Sequence, residues 1–318
     1  MSSSLGDDSA IVYRVIDLVK RYKGQERPAN DRLTFEVRAG EIFGILGANG
    51  AGKSTLVRQM VNLLAPTSGT IEFFGRPLDA SVTLRVGYMP QHADALNRLT
   101  VEEALYYTAH LRGLSAAEAI ADRDALIATW NLESFRRQDS ATLSGGQRRL
   151  LRIAVAAAGR PDVMILDEPT SDLDPARRRA VWEMLAGLRK ARRVTIVFVT
   201  HDAEEAERVV DRVAIMRGGD LVAIGTPPAL KRVVGRALRV EVSFPPPHPP
   251  RLPEGFVPEE RAGGRWVLQM EWRDAVEFLR QLAPEFVEDI RVTMPTLEDV
   301  FIHHADAAPS AAHRDSIR

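Results

Sequence analysis

The 318-residue sequence contains no cysteine. Disulfides, thiolate metal sites and cysteine nucleophiles are therefore excluded, and the composition fits a reducing compartment. An excess of charge of one sign is also missing. Lys and Arg total 42 against 43 for Asp and Glu, so there is no electrostatic footing for a nucleic-acid partner or a polybasic membrane contact. No apolar run approaches the roughly 20 residues that a spanning helix needs; residues 194–199, among the longest, fall far short. The first ten residues lack the basic-then-apolar pattern of a secretory signal. If the protein acts at a membrane, another chain must do the spanning. Neither an internal repeat nor a sustained heptad tract is present.

What is present is enough apolar material, 45% of the residues, for a substantial core. The length predicts two domains. Residues 11–18 and 33–37 alternate as strands, and 42–46 is a compact apolar run entering a glycine loop. A helix is expected over 56–64, halted near Pro66 and the turn Thr67-Ser-Gly69. Residues 92–143 read as mostly helical, with Thr100-Val-Glu-Glu103 and Ser115-Ala-Ala-Glu118 both matching the capping-box pattern. Buried strands are expected at 163–166 and 194–200. Asp174-Pro175 supplies the cap and first-turn proline of a helix running to about 192, and Asp202-Ala-Glu-Glu205 is an acidic helix start. Strands alternating with helices predict an α/β fold with a mostly parallel sheet.

Beyond residue 235 the pattern changes. A strand at 237–244 leads into a loop with prolines at 245, 246, 247, 249, 250 and 253, read as a connection rather than a polyproline ligand. Strand-like 266–270, a helix near 274–282 and strand-like 287–292 complete a small α+β accessory domain over 236–304. Residues 1–10 and 305–318 are expected to be flexible or disordered ends, leaving 11–235 as the main domain with a helical insert at about 92–160.

The loop Gly47-Ala-Asn-Gly-Ala-Gly-Lys-Ser-Thr55 matches G-x-x-x-x-G-K-[ST]. Glycines at 47, 50 and 52 let the backbone wrap an anion, and its amides with the following helix N-terminus supply positive dipole. Lys53 can reach β- and γ-phosphates, and the Ser54 hydroxyl can ligate Mg²⁺. A strand before it and a helix after it separate this loop from a glycine turn of no function. Further on, Val163-Met-Ile-Leu-Asp167-Glu168 ends a buried strand in two carboxylates. Asp167 is the candidate for Mg²⁺, directly or through water, because a buried carboxylate needs a partner. Glu168 is the candidate general base, or water-positioner, for attack on a γ-phosphate.

Leu143-Ser-Gly-Gly-Gln147 then opens an Arg-rich helix. Ser144 and Gln147 fit an N-cap and N3 pair, and Gly145 and Gly146 leave amides open, which makes a second anion-binding helix start. This segment resembles the signature motif of ABC transporter nucleotide-binding subunits, and the resemblance extends over about residues 11–231. It implies a P-loop NTPase cassette that binds ATP and Mg²⁺, hydrolyses ATP, and pairs head to tail with a second cassette, here a homodimer. Each ATP would lie between one phosphate loop and the partner's Ser144 and Gly146.

The same resemblance assigns further residues. Tyr22 falls where an aromatic stacks on adenine. Asn49 and Thr55 belong to the phosphate loop, and Gln91, after Val86-Gly-Tyr-Met-Pro90, resembles the glutamine that senses the metal. His201 resembles the switch histidine that contacts the γ-phosphate. Ser171-Asp-Leu-Asp174 resembles the loop crossing the dimer interface, and Asp174 also fits a plain helix cap. Asp172 departs from the family, which often has a small residue there, and brings a charge to that interface.

The segment Met294-Pro-Thr-Leu-Glu-Asp-Val-Phe301 is similar to the close of drug-exporter ATPases that work with separate permeases. Pro295 and Thr296 would set and cap a short helix, whose N-terminus favours Glu298 and Asp299. The resemblance implies a peripheral protein on the cytoplasmic face of the membrane, bound to an integral permease and exporting a drug-like, lipid or other amphiphilic cargo. The rival reading is a soluble ABC ATPase of translation or DNA repair. Such proteins carry two cassettes in one chain or long coiled coils, and the sequence offers neither.

Overall fold

The computed structural model describes residues 10–91, 98–233, 237–245, 252, 256–261, 264–282 and 287–306. Most of the expected proline loop, the N-terminal nine residues, residues 92–97 and the tail beyond 306 lie outside the described residues. The chain divides into two compact units, Met1–Gly225 and Thr226–Arg318.

The first unit begins with β1 (Ile11–Lys20), β2 (Asn30–Arg38) and β3 (Ile42–Gly47), followed by α1 (Lys53–Met60), β4 (Ser68–Phe73) and β5 (Arg76–Pro77). Next come α2 (Val82–Arg85), β6 (Val86–Met89), α3 (Val101–Leu111), α4 (Ala116–Thr129) and α5 (Gly145–Ala157). The unit ends with β7 (Val163–Asp167), α6 (Pro175–Arg192), β8 (Thr195–Thr200), α7 (Ala203–Val209) and the hairpin β9 (Arg212–Arg217) and β10 (Asp220–Gly225).

Two sheets result. One has the order β10-β9-β3-β8-β7-β6, parallel except where β10 folds back on β9. The other, β2-β1-β4-β5, is antiparallel, which periodicity at 11–18 and 33–37 did not distinguish. The strands β3, β7 and β8 are buried along their whole length, which is why they read as unbroken apolar runs. A single apolar cluster containing Val15, Leu33, Ile45, Leu56, Ile165 and Val199 joins both sheets through α1.

Register decides where the chemistry falls. Leu46 lies opposite Thr200, Asp167 opposite Val199, and Met89 opposite Leu166. The carboxyl ends of β3, β8, β7 and β6 therefore share one edge, where ligands of open parallel sheets bind.

The helix expected at 56–64 instead begins at Lys53 and ends at Met60. Gly52 takes a left-handed φ of 100°, which turns the glycine loop directly into the helix. At the other end Asn62 adopts φ 58°, its amide meets Gln59 O and the Leu63 amide meets Arg58 O. That left-handed Asn stop precedes Pro66 and replaces it as the terminator.

The capping boxes of α3 and α4 are both formed, each by reciprocal bonds between Thr100 and Glu103 or Ser115 and Glu118. These helices are fastened to the rest of the unit by a buried carboxylate. Asp122 of α4 is 2% exposed and accepts from Gly159 N and Arg192 Nη2, each at 2.8 Å, and from Arg160 Nε at 3.4 Å. Nearby, the Arg112 guanidinium donates to the carbonyls of Val155, Ala156 and Ala158, and burial pushes its pKa down to about 10 against the pull of Asp122.

The second unit contains α8 (Pro227–Lys231), which the sequence reading had placed in the first domain, then β11 (Leu238–Ser243), β12 (Glu259–Arg261) and β13 (Arg265–Met270). It closes with α9 (Trp272–Gln281), β14 (Asp289–Thr293) and α10 (Leu297–Asp306). Its antiparallel sheet has the order β12-β13-β11-β14. Val240, Leu268 and Phe278 share a small core between that sheet and α9. Thr296 caps α10: its hydroxyl accepts from Asp299 N, and the Asp299 carboxylate accepts from Thr296 N at 2.8 Å.

Candidate nucleotide site

Along the shared sheet edge lies a cavity of about 730 Å³. The glycine loop forms its floor, with Asn49, Gly50, Gly52, Lys53, Ser54 and Thr55 all on its wall. Two glycines are required by close approach. A Cβ on Gly47 would sit 2.5 Å from the Met216 carbonyl, and one on Gly52 would sit 2.1 Å from the Ala29 carbonyl. Asn30, fully buried, stitches this junction together by donating to Gly52 O at 3.1 Å and accepting from Gln59 Nε2 at 2.7 Å.

The N-terminus of α1 has no side-chain cap and no acidic residue in its first turn. Its first amides are thus left for an anion. Lys53 is buried and donates to the carbonyls of Gly47, at 2.6 Å, and Ala48, at 3.1 Å. Burial pushes its ammonium pKa down, partly offset by Glu168 and Asp167. Opposite, Ser54 Oγ donates to Asp167 Oδ2 at 3.2 Å. Burial pushes the Asp167 carboxyl up; the Ser54 bond opposes this and the neighbouring Glu168 adds to it.

Glu168 sits one residue beyond the strand, with φ 53°, a left-handed conformation uncommon for a residue with a Cβ. That turn aims its carboxylate at two side chains. Oε1 lies 2.7 Å from His201 Nδ1, and Oε2 accepts from Ser171 Oγ at 2.9 Å. Gln91 lines the same cavity, and the Tyr22 hydroxyl meets Thr55 Oγ1 at 3.4 Å.

Not every expected residue joins this cavity. Ser144, Gly145, Gly146 and Gln147 lie elsewhere, at the start of α5. Ser144 accepts from Gln147 N at 3.4 Å and Gln147 Oε1 accepts from Ser144 N at 2.8 Å, a complete capping box. Asp174 likewise caps α6 by accepting from Arg177 N at 2.9 Å. The structure also adds Gln25, Arg27, Gly218 and Gly219 to the cavity wall, which the sequence reading passed over. The Gly218-Gly219 pair between two short apolar runs was the available signal, since it marks the tight β9–β10 hairpin.

A glycine loop between a buried strand and an uncapped helix, with a buried lysine and a Ser–Asp pair facing it, defines a P-loop nucleotide-binding protein. The comparisons narrow this. Residues 30–171 match the ABC transporter family model. The Nod factor export ATP-binding protein I of Paraburkholderia xenovorans is 41% identical over 217 residues, covering 67% of this chain and 71% of the relative. The retinal-specific phospholipid-transporting ATPase ABCA4 of Homo sapiens is 40% identical over 227 residues, covering 70% of this chain; the chain spans only 10% of that relative's length.

Among solved structures, cbiO1 of Clostridium perfringens, part of an ABC transporter complex, superposes with a TM-score of 0.64 at 28% identity, covering 71% of this chain and 94% of that one. A bacterial ABC transporter cassette in dimeric form gives 0.62 at 25%, covering 67% and 98%. The chain belongs to the ABC transporter ATP-binding family. Among the described residues no helix is long and apolar enough to cross a membrane.

Proposed function

We propose that this chain is the ATP-binding and hydrolysing subunit of an exporter, paired head to tail with a second copy and driving a separate integral permease. The observation that carries this reading is the single cavity that gathers Tyr22, the uncapped glycine loop, Lys53, Ser54, Gln91, Asp167 and Glu168. In it Tyr22 stacks on the adenine, while Lys53 and the α1 amides hold the β- and γ-phosphates.

The donor set suits Mg²⁺: a hydroxyl, a carboxylate and an amide oxygen are hard ligands. An ion shared with substrate phosphates needs only one or two protein ligands and no all-protein cage. Ser54, Asp167 and Gln91 would hold it, and when bound it would neutralise charge developing on the phosphate oxygens. Glu168 orients the attacking water and accepts its proton, and His201 braces the Glu168 carboxylate and faces the γ-phosphate. The capped start of α5, at Ser144 and Gly146, presents open amides to the γ-phosphate held by the partner subunit. Asp174 lies on the loop that crosses between subunits.

The permease contact is assigned to the helices of residues 98–142, where Tyr107, Leu111 and Ile120 are exposed. The relatives named for Nod factor export and phospholipid transport support export of an amphiphilic compound, from a position on the cytoplasmic face of the membrane. Affinity capture of the tagged chain from detergent-solubilised membranes, followed by ATPase assays over candidate lipids and drugs, tests the reading. Recovery of an integral membrane partner whose cargo stimulates hydrolysis is the expected result. Capture of ribosomes or DNA-repair proteins, with no integral partner, would overturn it in favour of a soluble ATPase.

A further inference from the structure

Arg149 stands five positions after Ser144, in the second turn of α5, and reaches the loop that follows β7. One guanidinium nitrogen donates to the carbonyl of Glu168 and the other to the carbonyl of Ser171, each at 3.1 Å. The carboxylate of Asp172 lies 3.5 Å away. Arg149 is 12% exposed and Asp172 95%. The two carbonyls therefore hold the fork, and the water-screened ion pair adds little.

The gripped loop is bent at both ends. Glu168 has φ 53° and Asp172 φ 65°, both left-handed in residues with a Cβ. Such conformations persist only where the surroundings over-determine them. Arg149 supplies that constraint from outside the loop, since its two bonds span the stretch between the two bends. The bend at Glu168 is also what turns its carboxylate toward His201 and Ser171.

We propose that Arg149 is a positioning residue that ties the start of the signature helix to the backbone of Glu168. The proposal rests on the roles given above to Ser144, Gly146 and Glu168. When Ser144 and Gly146 capture the γ-phosphate on the partner, any shift of the helix start is carried through Arg149 to the base of the chain's own site. Occupancy of one site thereby sets the geometry of the other, with no contact between the two nucleotides. Asp172, which as a bare sequence departure adds charge to an interface, has a cation beside it.

The test uses the full chain in steady-state ATPase assays. Arg149→Met keeps the length of the stem and removes every donor; Arg149→Lys keeps the charge but cannot span two carbonyls as a fork. Arg149→Met is expected to lower kcat roughly tenfold to hundredfold, the scale of a misplaced catalytic group. The KM for ATP should stay within about twofold of the parent's, and the Hill coefficient for ATP should fall toward one. Arg149→Lys should recover part of kcat.

In a Glu168→Gln background Arg149→Met should still form the ATP-dependent dimer. Parent-like kcat and cooperativity in Arg149→Met would overturn the proposal, as would loss of ATP affinity in step with kcat. If Arg149→Met does not fold, Arg149→Lys decides: lower kcat at unchanged KM supports the proposal, and parent kcat refutes it. Normal turnover by Glu168→Gln alone would instead remove the underlying assignment of the base, a result recognisable without any Arg149 variant.

Discussion

His201 Nδ1 lies 2.7 Å from Glu168 Oε1, from the end of β8 to the residue just past β7. Parallel pairing of β7 with β8 brings the two together across 33 positions of sequence. With Ser171 on the other oxygen, each oxygen of the Glu168 carboxylate already has one donor, and an attacking water must use a remaining lone pair or displace Ser171.

Glu168→Gln keeps the shape of this arrangement and removes the base. It should bind ATP with parent affinity, lose about 10²–10⁴-fold in kcat, and accumulate as an ATP-bound dimer. Size-exclusion chromatography with and without ATP reads the dimer; hydrolysis at the parent rate would contradict the assignment.

The two donors to Glu168 should differ in weight. His201→Ala is expected to cost roughly 10–10² in kcat, because the imidazole is also proposed to face the γ-phosphate, and Ser171→Ala less than about tenfold. KM for ATP should change little in either. A Ser171 variant slower than the His201 variant would reverse the proposed order.

Lys53→Ala removes a buried cation that faces Asp167 and Glu168. Nucleotide affinity should fall by at least about tenfold, since a charged hydrogen bond contributes ~1.5–3 kcal/mol. Calorimetric titration measures it, and retained tight ATP binding would refute the phosphate assignment.

Asp167 makes a prediction about pH. Burial raises its carboxyl pKa in the fold above the unfolded value. Its favourable contribution to stability is fully present below the unfolded pKa and is lost as pH rises through the folded one. Asp167→Asn removes the buried charge, so it should raise the nucleotide-free Tm at neutral pH while impairing turnover. The gain in Tm should shrink as pH falls toward the ordinary carboxylate range. Thermal melts across that range provide the check, and a gain that grows in acid would show the sign to be wrong.

Asp122 gives a stability prediction remote from the nucleotide. Asp122→Ala leaves Arg160, Arg192 and the Gly159 amide without their shared acceptor; the two guanidiniums are partly solvated, so the cost is that of stranding a buried polar partner, about 1–3 kcal/mol. Denaturant melts should show the loss, and a shift below about 1 kcal/mol would mean that solvent reaches the site.

What the sequence made readable was local. The glycine loop, the boxes at Thr100, Ser115 and Ser144, and the caps at Asp174 and Thr296 depend on residues within a few positions of one another. The strands β3, β7 and β8 were readable because burial on both faces leaves no polar alternation. Contacts that join distant positions were not readable. His201 on Glu168, the Arg149 fork and the Asp122 cluster depend on strand order and helix packing, which no window of sequence contains. The antiparallel nature of the β1–β2 sheet was hidden for the same reason, because alternation reports one buried face and not the direction of the neighbour. Asp174 shows the limit from the other side: its helix cap is plain, and a single chain does not test the subunit boundary that the resemblance assigns to it.

The close fit of Gly52 against the Ala29 carbonyl, with Asn30 bonded to both Gly52 and Gln59, joins the end of the β1–β2 connection to the glycine loop. Tyr22 lies on that same connection. With Tyr22 taking the base and the α1 amides the phosphates, as proposed above, both ends of the ligand would rest on one packed junction. Backbone packing, and not only the motif residues, thus sets the span that the ligand must fill.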